Sequence, residues 1–147
     1  MSQATASVAG KSQAATKTIL LVEDDPHSSS FLVEAIAHET PYRAIVASDS
    51  KAALKRVRHF TPCLFILDYG LPGMNGIERY DRLSLNQELA PIRALLITAN
   101  RQFPQQQMQR RQLIALKKPF ELDAFLAAIE TLLTSPRARG GKHLVIS

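Results

Sequence analysis

Short apolar runs separated by helix-length segments are what most constrain the fold of this chain. Five such runs recur: Thr18–Glu23 (TILLVE), Tyr42–Ala47, Leu64–Asp68, Ala94–Thr98 (ALLIT) and Leu113–Leu116. Runs this short, bounded by turn formers, suit strands covered on both faces, which is the habit of a parallel sheet. The intervening segments carry apolar residues at helical spacing. Asp25 as N-cap and Pro26 in the first turn open one helix, with Phe31, Leu32, Ala35 and Ile36 as its stripe. Ser48 or Asp49 can cap a second helix bearing Ala52, Ala53, Leu54 and Val57, closed by Thr61-Pro62. A third runs from Ile77 to Leu85 with Tyr80 and Leu83 inward. Residues 103–111 are rich in Gln and Arg and specify a helix only weakly. Leu122, Phe125, Leu126, Ile129, Leu132 and Leu133 define a strong final one. Strands alternating with helices imply right-handed crossovers and one mainly parallel α/β sheet.

At 147 residues the chain is long enough for one domain with a real core. Its net charge of +5 raises the question of nucleic acid, so the location of that charge matters. Residues 17–133 hold 14 Lys/Arg against all 13 acids, and the remaining excess comes from Lys11, Arg137, Arg139 and Lys142. A basic excess confined to the ends gives weak attraction to polyanions, not specific nucleic-acid recognition. No stretch approaches the roughly 20 apolar residues that span a bilayer. The start, MSQATASVAGKSQAATK, lacks the apolar centre of a secretory signal. The single Cys63 excludes an intramolecular disulfide, fits a reducing compartment, and is expected as buried packing.

Parallel strands present their carboxyl ends along one edge, where open α/β sheets bind ligands. That edge gathers Glu23, Asp24, Asp25, Asp68, Thr98 and Lys118. Each has a plainer reading alone: Asp24 or Asp25 as helix cap, Thr98 as strand end, Lys118-Pro119 as surface turn, Asp68 as turn acid. Together they have another. Crowded carboxylates repel unless a cation is present, and oxygen donors with water suit magnesium. An ammonium and a hydroxyl beside a carboxylate nucleophile describe phosphoryl transfer onto an aspartate.

The segments ILLVEDDP, ILDYGLPGMNG, LLITA and KKPF, in this order, are highly specific as a set. Over residues 17–134 the sequence resembles a response-regulator receiver domain. The resemblance implies a flavodoxin-like (βα)5 doubly wound sheet with strand order 2-1-3-4-5 and a cis Lys118–Pro119 bond. It implies Asp68 as phosphoacceptor, with Thr98 and Lys118 contacting the phosphoryl group and small Ala99 leaving it room. It implies a Mg2+ site of Glu23, Asp24, Asp68 and the Gly70 carbonyl, with Asp24 the more direct ligand of the acidic pair. Asp25 would be the adjacent acid and helix cap. The implied partners are a histidine kinase or histidine phosphotransfer protein and a downstream protein. A homodimer is allowed, and neither specific nucleic acid nor membrane is expected.

The expected protein is thus a single-domain response regulator in the cytoplasm, not a turnover enzyme. It would have a disordered segment 1–16 and a flexible basic tail 135–147. The terminal HLVIS could add an edge strand or bind a partner.

Three features depart from the family. Ala115 stands three residues before Lys118, where Tyr or Phe usually reports phosphorylation. Arg111-Gln112 replaces the Gly-Ala that often opens the fifth strand, and the Thr98–Lys118 interval is about two residues short. These departures favour a second reading, a receiver-fold scaffold or binding module without phosphorylation-dependent switching. A magnesium-dependent phosphatase would need an aspartate at position 70, which is Gly70. A flavin site would need a phosphate loop where Glu23, Asp24 and Asp25 stand.

Overall fold

The computed structural model describes residues 17–70, 74–99, 104–134 and 144–146. Five apolar runs become strands: β1 (Thr18–Val22), β2 (Arg43–Ala47), β3 (Leu64–Asp68), β4 (Ala94–Thr98) and β5 (Ile114–Lys117). Between and after them lie α1 (Pro26–Glu39), α2 (Ser50–Arg56), α3 (Gly76–Ser84), α4 (Gln105–Arg111) and α5 (Leu122–Thr134). The strands are parallel in the order β2-β1-β3-β4-β5, as the flavodoxin-like reading expects. Ile19 lies opposite Leu64, Phe65 opposite Ala94, and Leu95 opposite Ile114. β1, β3 and β4 are buried almost throughout, which explains their continuous rather than alternating hydrophobicity.

The helices form two layers. Leu32, Ala35 and Ile36 of α1 pack with Phe125, Ala128, Ile129 and Leu132 of α5 against one face of the sheet. Ala53 of α2, Ile77, Tyr80 and Leu83 of α3, and Met108 of α4 cover the other. Burying a large aliphatic or aromatic side chain of this kind is worth roughly 1.5–3 kcal/mol.

Several expectations need correction. Phe31 is not part of the inward stripe of α1 but 58% exposed. The buried arc is Ser29, Leu32, Ala35 and Ile36, and Phe31, one residue before Leu32, is turned about 100° away from it. Cys63 is only half-buried, packed at the edge of the α1/α5 layer, and burial raises its thiol pKa.

The tail is not wholly a flexible segment, since Leu144–Ile146 forms β6, parallel to β5 with Leu144 opposite Ile114. β6 gives partners to the outer edge of β5, which would otherwise present open backbone groups. The β5–α5–β6 connection moves outward as β3–α3–β4 and β4–α4–β5 do, but through a helix on the opposite face. It therefore has the opposite hand to theirs, so edge pairing rather than crossover packing accounts for β6. The remaining tail residues and segment 1–16 lie outside the described residues.

Candidate functional site

β1 ends at Val22, and the next N–H, that of Glu23, still donates to the Ala47 carbonyl at 3.0 Å. This keeps Glu23 in line with the sheet and 4% exposed. Its Oε2 accepts from the Asp25 N–H at 3.1 Å. Asp24 is exposed at the same edge. Asp25 caps α1, accepting from the backbone N–H groups of His27 and Ser28, and from Ser28 Oγ at 2.7 Å. The Ser28 hydroxyl is the main reason its carboxyl lies below the usual range. The expected cap role is thus observed for Asp25, which turns its carboxylate toward its own helix.

Asp68 is the last residue of β3. Its Oδ1 accepts from the Gly70 N–H at 2.9 Å, an Asx-type turn that orients the carboxylate. Lys118 Nζ stands 3.5 Å from Oδ2. The Lys118 N–H donates to the Thr98 carbonyl at 2.8 Å, which holds Lys118 at the end of β4, and the Lys118–Pro119 peptide is cis. Thr98 itself is buried. Past the Asp68 turn, Gly76 is required by close approach. A Cβ there would sit 3.0 Å from the Tyr69 Cα and 3.2 Å from a Leu96 methyl. Asn75 and Glu78 then open α3 with reciprocal 2.9 Å capping bonds.

The structure therefore brings Glu23, Asp68, Thr98, Lys118 and the Gly70 backbone to one edge, with Asp24 at its rim. Its electrostatics are those of crowded acids. Glu23 is pushed up to about 7, first by burial, then by a hydrogen bond to Asp68 and by the Asp68 charge. The Asp25 N–H and the Lys118 charge act the other way without cancelling this. Among the described residues, no three acidic, histidine or cysteine side chains converge as a ready-made metal cage. An ion held by Glu23, Asp24, Asp68 and the Gly70 carbonyl would keep several waters, as Mg2+ commonly does. The residues fit such an ion: the donors are hard oxygens, and the Asp68 charge, which adds to burial in raising the Glu23 pKa, is one that a divalent cation would relieve.

Two residues that sequence reasoning did not single out border this edge from below. Arg79 of α3 is 2% exposed, and its Nε donates to Ser50 Oγ at 2.6 Å. Its Nη1 lies 3.4 Å from the Asp68 carbonyl oxygen. The available signal was spacing. Gly76, Arg79 and Leu83 follow one another at i+3 and i+4, which places Arg79 on the inward arc of α3.

Comparison with known proteins identifies the frame that carries this edge. The response regulator receiver domain pattern matches residues 19–130, and the chain belongs to that family. It is 28% identical over 116 residues to sporulation initiation phosphotransferase F of Bacillus subtilis, covering 78% of this chain and 92% of that protein. It is 27% identical over 123 residues to hybrid signal transduction histidine kinase D of Dictyostelium discoideum, covering 82% of this chain but 8% of that protein. In structure it is similar to chemotaxis protein CheY4 of Vibrio cholerae, with a TM-score of 0.73 at 20% identity, covering 81% of this chain and all of that one.

Proposed function

We propose that this chain is a response regulator that accepts a phosphoryl group on Asp68 in a Mg2+-dependent phosphorelay. The donor would be a histidine kinase or a histidine phosphotransfer protein. The observation that carries the reading is the setting of the Asp68 carboxylate, with Oδ1 oriented by the Gly70 N–H and Oδ2 facing Lys118. In the transfer, an Asp68 carboxylate oxygen forms the new O–P bond while the N–P bond of a phosphohistidine breaks. The freed imidazole nitrogen keeps the electron pair of that bond.

Glu23, Asp24, Asp68 and the Gly70 carbonyl would hold the ion. When bound, Mg2+ would draw off negative charge from the phosphoryl oxygens and relieve carboxylate repulsion. The Lys118 ammonium offers the phosphoryl group a fixed positive charge, and Thr98 a hydroxyl. Hydrolysis of the acyl phosphate would return Asp68 to its carboxylate. In this reading the protein takes part in its own phosphorylation and dephosphorylation and is not a turnover enzyme. No helix among the described residues is long and apolar enough to cross a membrane, and a cytoplasmic location suits its proposed donors.

A docking face for such a donor adjoins the acids. Phe31, Leu32, Ile97, Pro119 and Phe120 line an apolar groove that also touches Glu23 and Lys118. A protein donor must bring its phosphohistidine to Asp68, and exposed Phe31 supplies apolar contact beside that point. Signalling onward would proceed by protein–protein contact.

Intact-mass measurement after treatment with acetyl phosphate and Mg2+ tests the reading. Wild type should gain one phosphoryl group and Asp68→Ala none. No gain on wild type, under conditions that label another receiver, would favour the scaffold reading. That alternative draws on Ala115, a small buried residue where the family carries a reporting aromatic.

A further inference from the structure

Among the described residues, Arg79 is the one fully buried side chain that carries a full charge, and no step proposed so far uses it. Burial lowers its pKa from the ordinary guanidinium value, while the charges of Asp68, Asp49, Asp24 and Glu78, in that order, work in the opposite direction. A guanidinium remains protonated under such conditions. Burying a charge is costly, and an apolar side chain of similar volume would avoid that cost. What the arginine adds is a bridge. Nη1 faces the Asp68 main-chain carbonyl at the end of β3. Nε holds the hydroxyl of Ser50, the first residue of α2, next to the N-cap Asp49. The Ser50 hydroxyl in turn lies 3.7 Å from the Met74 sulfur, just ahead of α3.

We propose that Arg79 is a positioning residue that carries the charge state of Asp68 to the start of α2 through Ser50. The inference rests on Asp68 being the phosphoacceptor. Phosphorylation replaces a single negative charge by about −1.5 to −2 close to a buried cation. The two ends of the bridge are unequally made. The Nε–Ser50 bond is short at 2.6 Å, while the Nη1 contact at 3.4 Å can still close toward the usual 2.9–3.0 Å. Added negative charge pulls the guanidinium toward Asp68, so Ser50 either follows it or loses its bond. In both cases the first turn of α2 changes. This route does not pass through position 115, where the chain has no ring to rotate.

The test is amide and side-chain NMR of the full chain with Mg2+, before and after acetyl phosphate, with intact mass taken in parallel. In wild type, the Ser50–Arg56 amides and the Arg79 Nε–H should shift on phosphorylation. Ser50→Ala should take up the phosphoryl group as wild type does and lose most of the α2 shift. Arg79→Met should take it up about threefold more slowly, a loss of less than 1 kcal/mol in transition-state stabilisation. With the metal alone as probe, Arg79→Met should bind Mg2+ more tightly, because a repelling charge is gone; a merely structural lesion would weaken binding. Should Arg79→Met fail to fold, Ser50→Ala decides alone. α2 shifts as large in phosphorylated Ser50→Ala as in wild type would overturn the inference while leaving the phosphoacceptor reading intact. A wild type that gains no phosphoryl group would overturn both.

Discussion

Lys118 Nζ and Asp68 Oδ2 stand 3.5 Å apart, a distance at which the ammonium guides the carboxylate without closing a tight pair. The lysine side chain remains over a third exposed, so the contact contributes little to stability. Under the proposed function its value lies in the charge it would offer to a phosphoryl group on Asp68. Lys118→Ala should therefore keep its fold and its Mg2+ binding. Its labelling by acetyl phosphate should slow by about tenfold or more. It should also lose most phosphorylation-dependent partner binding, which a pull-down with phosphorylated protein would measure. Phospho-dependent binding at wild-type strength would contradict the role given to the lysine.

Under the proposed function, substituting Phe31 would separate donor docking from phosphoryl chemistry. It is 58% exposed beside the acid edge and buries little within the domain. Phe31→Ser should leave stability and acetyl phosphate labelling unchanged. Transfer from a phosphorylated histidine kinase or phosphotransfer protein should fall by about tenfold, as for an aromatic interface anchor worth over 1 kcal/mol. Equal transfer rates for variant and wild type would move the docking face elsewhere.

Glu23 predicts a pH dependence whose sign is set by its raised pKa. Its carboxyl titrates near 7 in the folded metal-free protein against 4.5 when free. Between these values the folded state binds more proton than the unfolded state, so stability falls as pH rises. The cost of holding Glu23 ionised is then present in full above pH 7 and absent below the unfolded value. Relative to Glu23→Gln, metal-free wild type should lose about 1–3 kcal/mol between pH 5 and pH 8. Urea titrations at the two pH values measure this, and a flat difference would show that Glu23 is not held protonated.

Gln112 ends α4 with φ 55° and ψ 43°, the left-handed conformation that glycine adopts freely. Its buried Oε1 has no hydrogen-bond partner among the described residues. Gln112→Gly should raise unfolding free energy by about 1 kcal/mol, the cost of a non-glycine residue in this region. A urea midpoint at or below that of wild type would show that the side chain's packing outweighs backbone strain.

These residues also show where the sequence was readable. β1, β3 and β4 were plain because both faces of each are buried, and Asp25, Tyr80 and Leu83 followed from local cap and periodicity rules. The acidic edge was legible because each of its members closes a strand, so topology alone assembles it. Phe31 was misplaced because adjacent apolar residues on a helix do not declare which one lies at the rim of the stripe. α4 had little periodicity because Met108 is its only buried residue. It is tied down instead by Arg111, whose Nε and Nη2 hold both carboxylate oxygens of Asp81 at 2.7 and 2.8 Å, a contact 30 residues apart. Arg79 escaped notice because charge argues for solvent, and only the opposing acids and Ser50 make its burial tolerable. β6 depends on a partner strand distant in sequence, which three residues cannot specify by themselves.

The direction of β6 has a practical bearing on how this protein is handled. Being parallel to β5, with Leu116 opposite Ile146, it runs from Leu144 to Ile146 toward the same rim that holds Asp68 and Lys118. A fluorophore or affinity handle joined directly after Ile146 would emerge on that rim, with β4 and β5 between it and Asp68, where the proposed donor would approach. The same handle placed ahead of Thr18 would leave from the opposite rim, since β1 begins there. Reporter fusions should therefore join the chain ahead of Thr18.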